Sequence, residues 1–67
     1  MSDEMRDFKV RVVTKTDAAI LVVHDDEEFW IPFSQIDDDS EVAQHSETGD
    51  DGVLTIPQWL AEKKGME

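Results

Sequence analysis

Hydrophobic positions along this chain follow two rhythms. In FKVRVVTK, Phe8, Val10 and Val12 point one way while Lys9, Arg11 and Lys15 point the other. A period of two with β-branched residues predicts a half-buried strand. The pair Thr16–Asp17 predicts a turn, and AAILVVH after it reads as a nearly continuous apolar strand buried on both faces. DDE turns the chain again. EFWIP is a third strand, stopped by Pro32, which has no N–H to give to a ladder. Phe29 and Ile31 take its inward face, leaving Trp30 partly exposed. The three segments predict an antiparallel meander.

PFSQI predicts a tight or 3₁₀ turn that drops Ile36 into the core. A structureless stretch from Asp37 to Gly52 would be long for a compact domain, so a short fourth strand is expected at about Glu41 to His45. SETGDDG then becomes the turn of a second hairpin leading into VLTI. The rhythm changes at the end. Ile56, Trp59 and Leu60 stand at helical spacing, Pro57 suits a first helical turn, and Gly65 suits a C-terminal cap. Lys63 and Lys64 lie in the last turn, where the helix dipole favours cations. The expected core is Val10, Val12, Ile20, Val22, Phe29, Ile31, Ile36, Leu54, Ile56, Trp59 and Leu60.

At 67 residues the chain is expected to form one small domain, with residues 1–7 a flexible N-terminus. There are no cysteines, so neither a disulfide framework nor a thiolate metal site supports it. The apolar run AAILVV is too short to span a bilayer, and MSDEMRDFK lacks a signal-peptide core. A soluble, cytoplasmic protein is expected.

Charge changes the picture most. Seventeen acids against six bases give a net charge of −11, and from Thr16 to Glu62 there are acids and no base. Such a field repels nucleic acid and anionic membranes, and it attracts cationic partners at rates that fall with added salt. Composition of this kind also suits disorder, but the clustered apolar positions and five aromatic residues favour a fold.

Candidate chemistry is sparse. An EF-hand loop beginning at Asp37 needs Gly at its sixth position and Glu at its twelfth. Those positions hold Val42 and Thr48, so the motif fails. His24 and His45 have no third zinc ligand at regular spacing and read as a strand-end and a surface histidine. Ser34 and Ser40 lie in no nucleophile motif. The carboxylates fall in turns rather than in the apolar pocket a general acid needs. Trp30 and Trp59 could stack on bases, but a single-strand binder needs a positive groove, and here the charge is reversed. No enzyme, cofactor or metal is expected.

The carboxylates themselves remain. Acidic turns commonly serve solubility alone. Here the excess is concentrated in consecutive loops. Carboxylates at i and i+2 of an extended segment stand roughly 6–7 Å apart. That is about two steps of the roughly 3.4 Å phosphate rise along one DNA strand. A stiff scaffold carrying several such pairs can imitate a phosphate array.

FWIPFSQI, the acidic middle and TGDDGVLTIPQWLAEKKG together resemble a group of small acidic proteins encoded by phages and prophages. Their pattern is W-I-P-x-S-x-I followed by L-x-[IV]-P-x-W-L-A-x-K-x-G. Trp30, Ile31, Pro32, Ser34 and Ile36 match the first half. Leu54, Ile56, Pro57, Trp59, Leu60, Ala61, Lys63 and Gly65 match the second. Phe33 departs from it, standing where a polar or basic residue is expected, and would add an exposed aromatic contact. The resemblance covers roughly residues 18–65 and marks a scaffold more than an activity. It implies an anti-CRISPR protein opposing a type I Cascade complex.

The resulting expectation is an α+β domain. A twisted antiparallel sheet of four or five strands, with an SH3-like half-barrel as one form, would carry one C-terminal helix. Its function would be non-catalytic inhibition, with acidic loops covering a basic DNA- or PAM-reading surface on a Cascade subunit of a bacterial host. The expected contact set is Asp25, Asp26, Glu27, Glu28, Asp37, Asp38, Asp39, Glu41, Asp50 and Asp51, with Trp30 and Phe33 as anchors. A monomer is expected, with weak dimerisation left open. The alternative is a phage accessory or assembly module that joins a protein partner through an apolar face, its acidity only solubilising.

Overall fold

A computed structural model describes residues 4–66. Strands β1 (Met5–Lys15), β2 (Ala19–His24) and β3 (Glu27–Pro32) form the expected meander, followed by a 3₁₀ turn at Phe33–Gln35. Strand β4 (Asp51–Pro57) and helix α1 (Gln58–Lys64) complete the α+β domain. The sheet is antiparallel throughout and open, in the order β3-β2-β1-β4. Long β1 serves two partners in succession. Its first part, from Met5, pairs with β4, and its second part, to Lys15, pairs with β2, with a bulge between Val12 and Thr14. Residues 5–7 therefore belong to a strand, contrary to a flexible terminus reaching residue 7. Residues 1–3 of that segment lie outside the described residues.

Alternation assigns the two faces of the sheet. Val10, Val12, Ile20, Val22, Phe29, Ile31, Leu54 and Ile56 are buried on one face. Leu60 and Ala61 of α1 join this core, with Val42 from the acidic loop and Met66 from the chain end. Phe8, Phe33 and Ile36 are partly buried against it. The other face is open. Cross-strand pairing puts Trp30 beside Leu21, Glu28 beside Val23, Val23 beside Arg11, and Arg11 beside Asp51 on that face. Strand β2 is thus buried on one side only: Leu21 and Val23 are half-buried where full burial was expected.

Helix α1 corrects a second expectation. Pro57 is extended, with φ −62° and ψ 145°, and caps the helix from outside rather than lying in its first turn. Ile56 consequently belongs to the strand, and the inward helical positions become Leu60 and Ala61. Trp59 is rotated outward and is 49% exposed. The helix ends as Gly65 and Lys63–Lys64 lead one to expect. Gly65 is left-handed with φ 80°, its N–H donates to Glu62 O over 3.1 Å, and the Met66 N–H donates to Ala61 O over 2.9 Å. This double closure, with buried Met66 packed in the same cluster as Ala61, is a Schellman cap.

Candidate acidic interface

Glu41–His45 is not a strand. The segment from Asp37 to Asp50 is a series of turns lying along the outer edge of β4. It replaces strand rungs with a mixture of backbone and side-chain bonds. Asp37 N–H donates to Thr55 O (2.9 Å) and Val42 N–H to Val53 O (3.0 Å). The Thr55 N–H donates to Ser40 Oγ (2.9 Å) and the Val53 N–H to Glu41 Oε1 (2.9 Å). Ser40 Oγ itself donates to Val42 O (2.7 Å), with Val53 O at 3.3 Å. Val53 and Thr55, the central outward-facing residues of the β4 edge, are thereby satisfied at N–H and C=O. Side chains do here what a fourth strand's backbone was expected to do.

Further turns fix the rest of the loop. Asp37 Oδ2 accepts from the Asp39 N–H (2.9 Å), and Asp50 Oδ2 from the Glu47 N–H (2.9 Å). Ser46, which is buried, exchanges bonds with Ala43: Ala43 N–H donates to Ser46 Oγ and Ser46 N–H to Ala43 O, each at 3.0 Å. The residues before β4 do not turn back on an earlier strand of the same hairpin. They dock on β1 instead, where Gly49 N–H donates to Val12 O and Val12 N–H to Asp50 O, each at 2.8 Å. Val12 can do both because alternation along β1 turns its main-chain groups, like those of Phe8 and Val10, toward the β4 side. Lys15 reaches across to donate from Nζ to Gln44 O over 2.8 Å.

The carboxylates accordingly divide into two groups. Asp37, Glu41 and Asp50 are spent on backbone N–H groups of the fold. Asp51 is held by Arg11 through Nε to Oδ1 (2.9 Å) and Nη2 to Oδ2 (3.4 Å). That bond, and the guanidinium charge behind it, lowers the Asp51 pKa and raises that of Arg11. Asp25 Oδ2 lies 3.4 Å from His24 Nε2, while His24 Nδ1 donates to Lys9 O over 2.9 Å and the ring meets Phe8 edge-on. By contrast, Asp26, Glu27, Glu28, Asp38 and Asp39 are exposed, and their carboxylates have no hydrogen-bond or ion-pair partner among the described residues. Glu47, absent from the expected contact set, shares that condition. Its place within the same acidic stretch was the available signal.

The topology separates these free carboxylates. Asp25 and Asp26, at φ 52° and 65°, form the two-residue turn joining β2 to β3. Both are left-handed, as a hairpin turn of this length requires, and Asp tolerates that region better than most residues. Glu27 and Glu28 follow on β3, at one edge of the sheet. Asp38 and Asp39 lie beyond β4 at the other. Three inter-strand steps from β3 to β4 amount to roughly 14 Å. The contact set is thus two groups flanking the open face, not a single file.

The aromatic residues divide likewise. Trp30 projects from the open face and is 44% exposed. Phe33 is half-buried against the core, with its N–H donating to Ala18 O, so it is not the exposed contact expected of it. Among the described residues, no group of three or more His, Cys, Asp or Glu is placed to hold a metal ion, and no helix is long and apolar enough to cross a membrane. Compared with known families, curated proteins and solved structures, the chain matches none.

Proposed function

We propose that this protein is a non-catalytic inhibitor that occupies the basic, nucleic-acid-contacting surface of a host complex, its free carboxylates standing in for phosphates. One observation carries the reading. Asp26, Glu27 and Glu28 on one edge, with Asp38 and Asp39 on the other, are exposed and have no cation paired with them among the described residues. Their backbones are nevertheless held by a hairpin turn and by the loop sealed along β4. Little ordering remains to be done when a cationic surface meets them, which favours binding. Each exposed ion pair contributes under about 1 kcal/mol, so affinity rests on number and on a desolvated anchor. Trp30, half-exposed on the open face two positions from Glu28 on the same edge strand, is suited to that role. The resemblance of Trp30–Ile36 and Leu54–Gly65 to phage-encoded acidic proteins suggests a type I Cascade complex, at its PAM-reading region, as the target.

The test is capture from a bacterial lysate carrying such a complex, at low and at high salt, with duplex DNA as competitor. Capture should fall steeply toward about 0.5 M salt, where screening reaches a few ångströms, and DNA should displace the protein. Asp38→Lys with Asp39→Lys is the informative variant, because neither carboxylate holds the fold. Undiminished capture in high salt by that variant would sink the reading.

A second reading has its own observation. Trp30 and Leu21 form a cross-strand apolar pair on the open face, and such a pair suits a protein-interaction module whose acidity only solubilises. Salt-insensitive association abolished by Trp30→Ala would favour it.

A further inference from the structure

The two edges of the sheet are treated differently. The β4 edge is sealed by Ser40, Glu41, Asp37 and Val42, whereas nothing among the described residues pairs with the outer side of β3. Hydrogen-bond parity shows what that side offers. Phe33 N–H donates to Ala18 O over 2.9 Å, continuing the ladder in which Ile31 faces Ile20 and Phe29 faces Val22. Residues 27, 29, 31 and 33 therefore turn their main-chain groups toward β2. Glu28, Trp30 and Pro32 turn theirs outward. The edge presents two N–H donors, from Glu28 and Trp30, and three carbonyl acceptors, spaced about 7 Å apart as another strand would require.

We propose that this edge takes an extended lysine- or arginine-bearing segment of the partner as a fifth strand. The inference rests on the reading that the partner is basic, and it names the form in which part of that partner is held. Charge selects the occupant. A second copy would bring its own net charge of −11 to an edge already flanked by Asp26, Glu27 and Glu28, and that repulsion opposes self-pairing. The missing N–H of Pro32 further shortens the edge available to a copy. A basic segment meets the opposite situation. Glu28 and Trp30 share the open face, two positions apart on one strand. A Lys or Arg on the added strand, projecting on that face, reaches the Glu28 carboxylate and the half-exposed Trp30 ring together. It gains an ion pair from one and a cation–π contact from the other. Backbone pairing supplies the geometry, and these two side chains supply the preference for a cation.

The test uses the whole protein, isotope-labelled, with a capped synthetic hexapeptide alternating arginine and valine as probe and its glutamate counterpart as control. The arginine peptide should shift the Glu28 and Trp30 amides and slow their hydrogen exchange, leaving the sealed Val53 and Thr55 amides unmoved. Glu28→Pro, which deletes an outward donor not used by the fold, should lose at least tenfold in peptide affinity, and Glu28→Gln two- to threefold. Should Glu28→Pro fail to fold, N-methylation of the Trp30 amide in synthetic protein removes one donor with every side chain kept. Equal binding by the wild type and by the donor-deleted protein would overturn strand addition while leaving the charge reading intact. No preference for the arginine peptide over the glutamate one at low salt would remove both.

Discussion

The Thr55 backbone N–H donates to Ser40 Oγ across 2.9 Å, joining residues from two segments that have no strand pairing with each other. Ser40 is 7% exposed and also donates to Val42 O. One hydroxyl thus closes the sheet edge and steadies the acidic loop. This answers how a loop so rich in like charge stays ordered: Asp37, Glu41 and Asp50 accept from backbone N–H groups, Ser40 and Ser46 are bound inward, and Asp38, Asp39 and Glu47 are left exposed to solvent. Ser40→Ala leaves the Thr55 N–H without its acceptor in a partly buried place, a loss of about 1–3 kcal/mol. Urea unfolding should show it, and exchange at the Thr55 amide should accelerate more than exchange in β2.

Val42 fastens the same loop from the apolar side. It is 2% exposed and lies over Gly52, where an added Cβ would come within 3.1 Å of Val42 Cγ2. Val42→Ala should cost about 2 kcal/mol through lost burial and the cavity left behind. Val42→Asp, placing a charge there, should release the loop from β4. Exchange at Val53 and Thr55 would then rise while the β1–β2–β3 ladder keeps its protection.

The Arg11–Asp51 pair predicts a pH dependence. Asp51 has a pKa lowered by the Arg11 hydrogen bond and charge. Its contribution is present above the carboxylate's unfolded-state pKa and is lost as pH falls through the lower folded-state value. Stability of the wild type should therefore fall toward acid somewhat more than that of Asp51→Asn, the two curves converging below the carboxylate range. Both partners are largely exposed, at 66% of their side chains each, so the difference should be small and should shrink with salt. Thermal melts across acid pH at two ionic strengths check it.

Gly65 supplies the left-handed residue that ends α1. Gly65→Ala imposes a Cβ at φ 80°, an unfavourable conformation for an L-residue, and should cost about 1 kcal/mol. Among the described residues, no atom beyond the chain neighbours lies within 4 Å of the new Cβ, so the cost is backbone strain. The helix should fray while the sheet persists, which circular dichroism and exchange at the Met66 amide would separate.

Both tryptophans are about half-exposed, so Trp59→Ser should change stability by no more than about 0.5 kcal/mol, as for other surface positions. Native fluorescence should be readily quenched by acrylamide. A strongly protected emission would contradict the outward setting of Trp59.

Much of the architecture was open to reading from local pattern. Alternation in FKVRVVTK and EFWIP gave the inward sets Val10–Val12 and Phe29–Ile31, because a strand's side chains alternate whatever surrounds them. Gly65 after Lys63–Lys64 marked the helix end for an equally local reason. Trp59 was misplaced because Pro57 served as a cap outside the helix, and that one-position change in phase sends a helical side chain through about 100°. The acidic stretch resisted reading for another reason. Ser40, Glu41 and Val42 carry no periodicity; their roles exist only once β4 stands beside them with unpaired N–H groups. By itself the amino-acid order determined a meander, a capped helix and a strongly negative net charge, since those follow from composition and from neighbours along the chain. Only the tertiary structure decided which carboxylates hold the fold and which stay free, because that depends on which sheet edge each one meets.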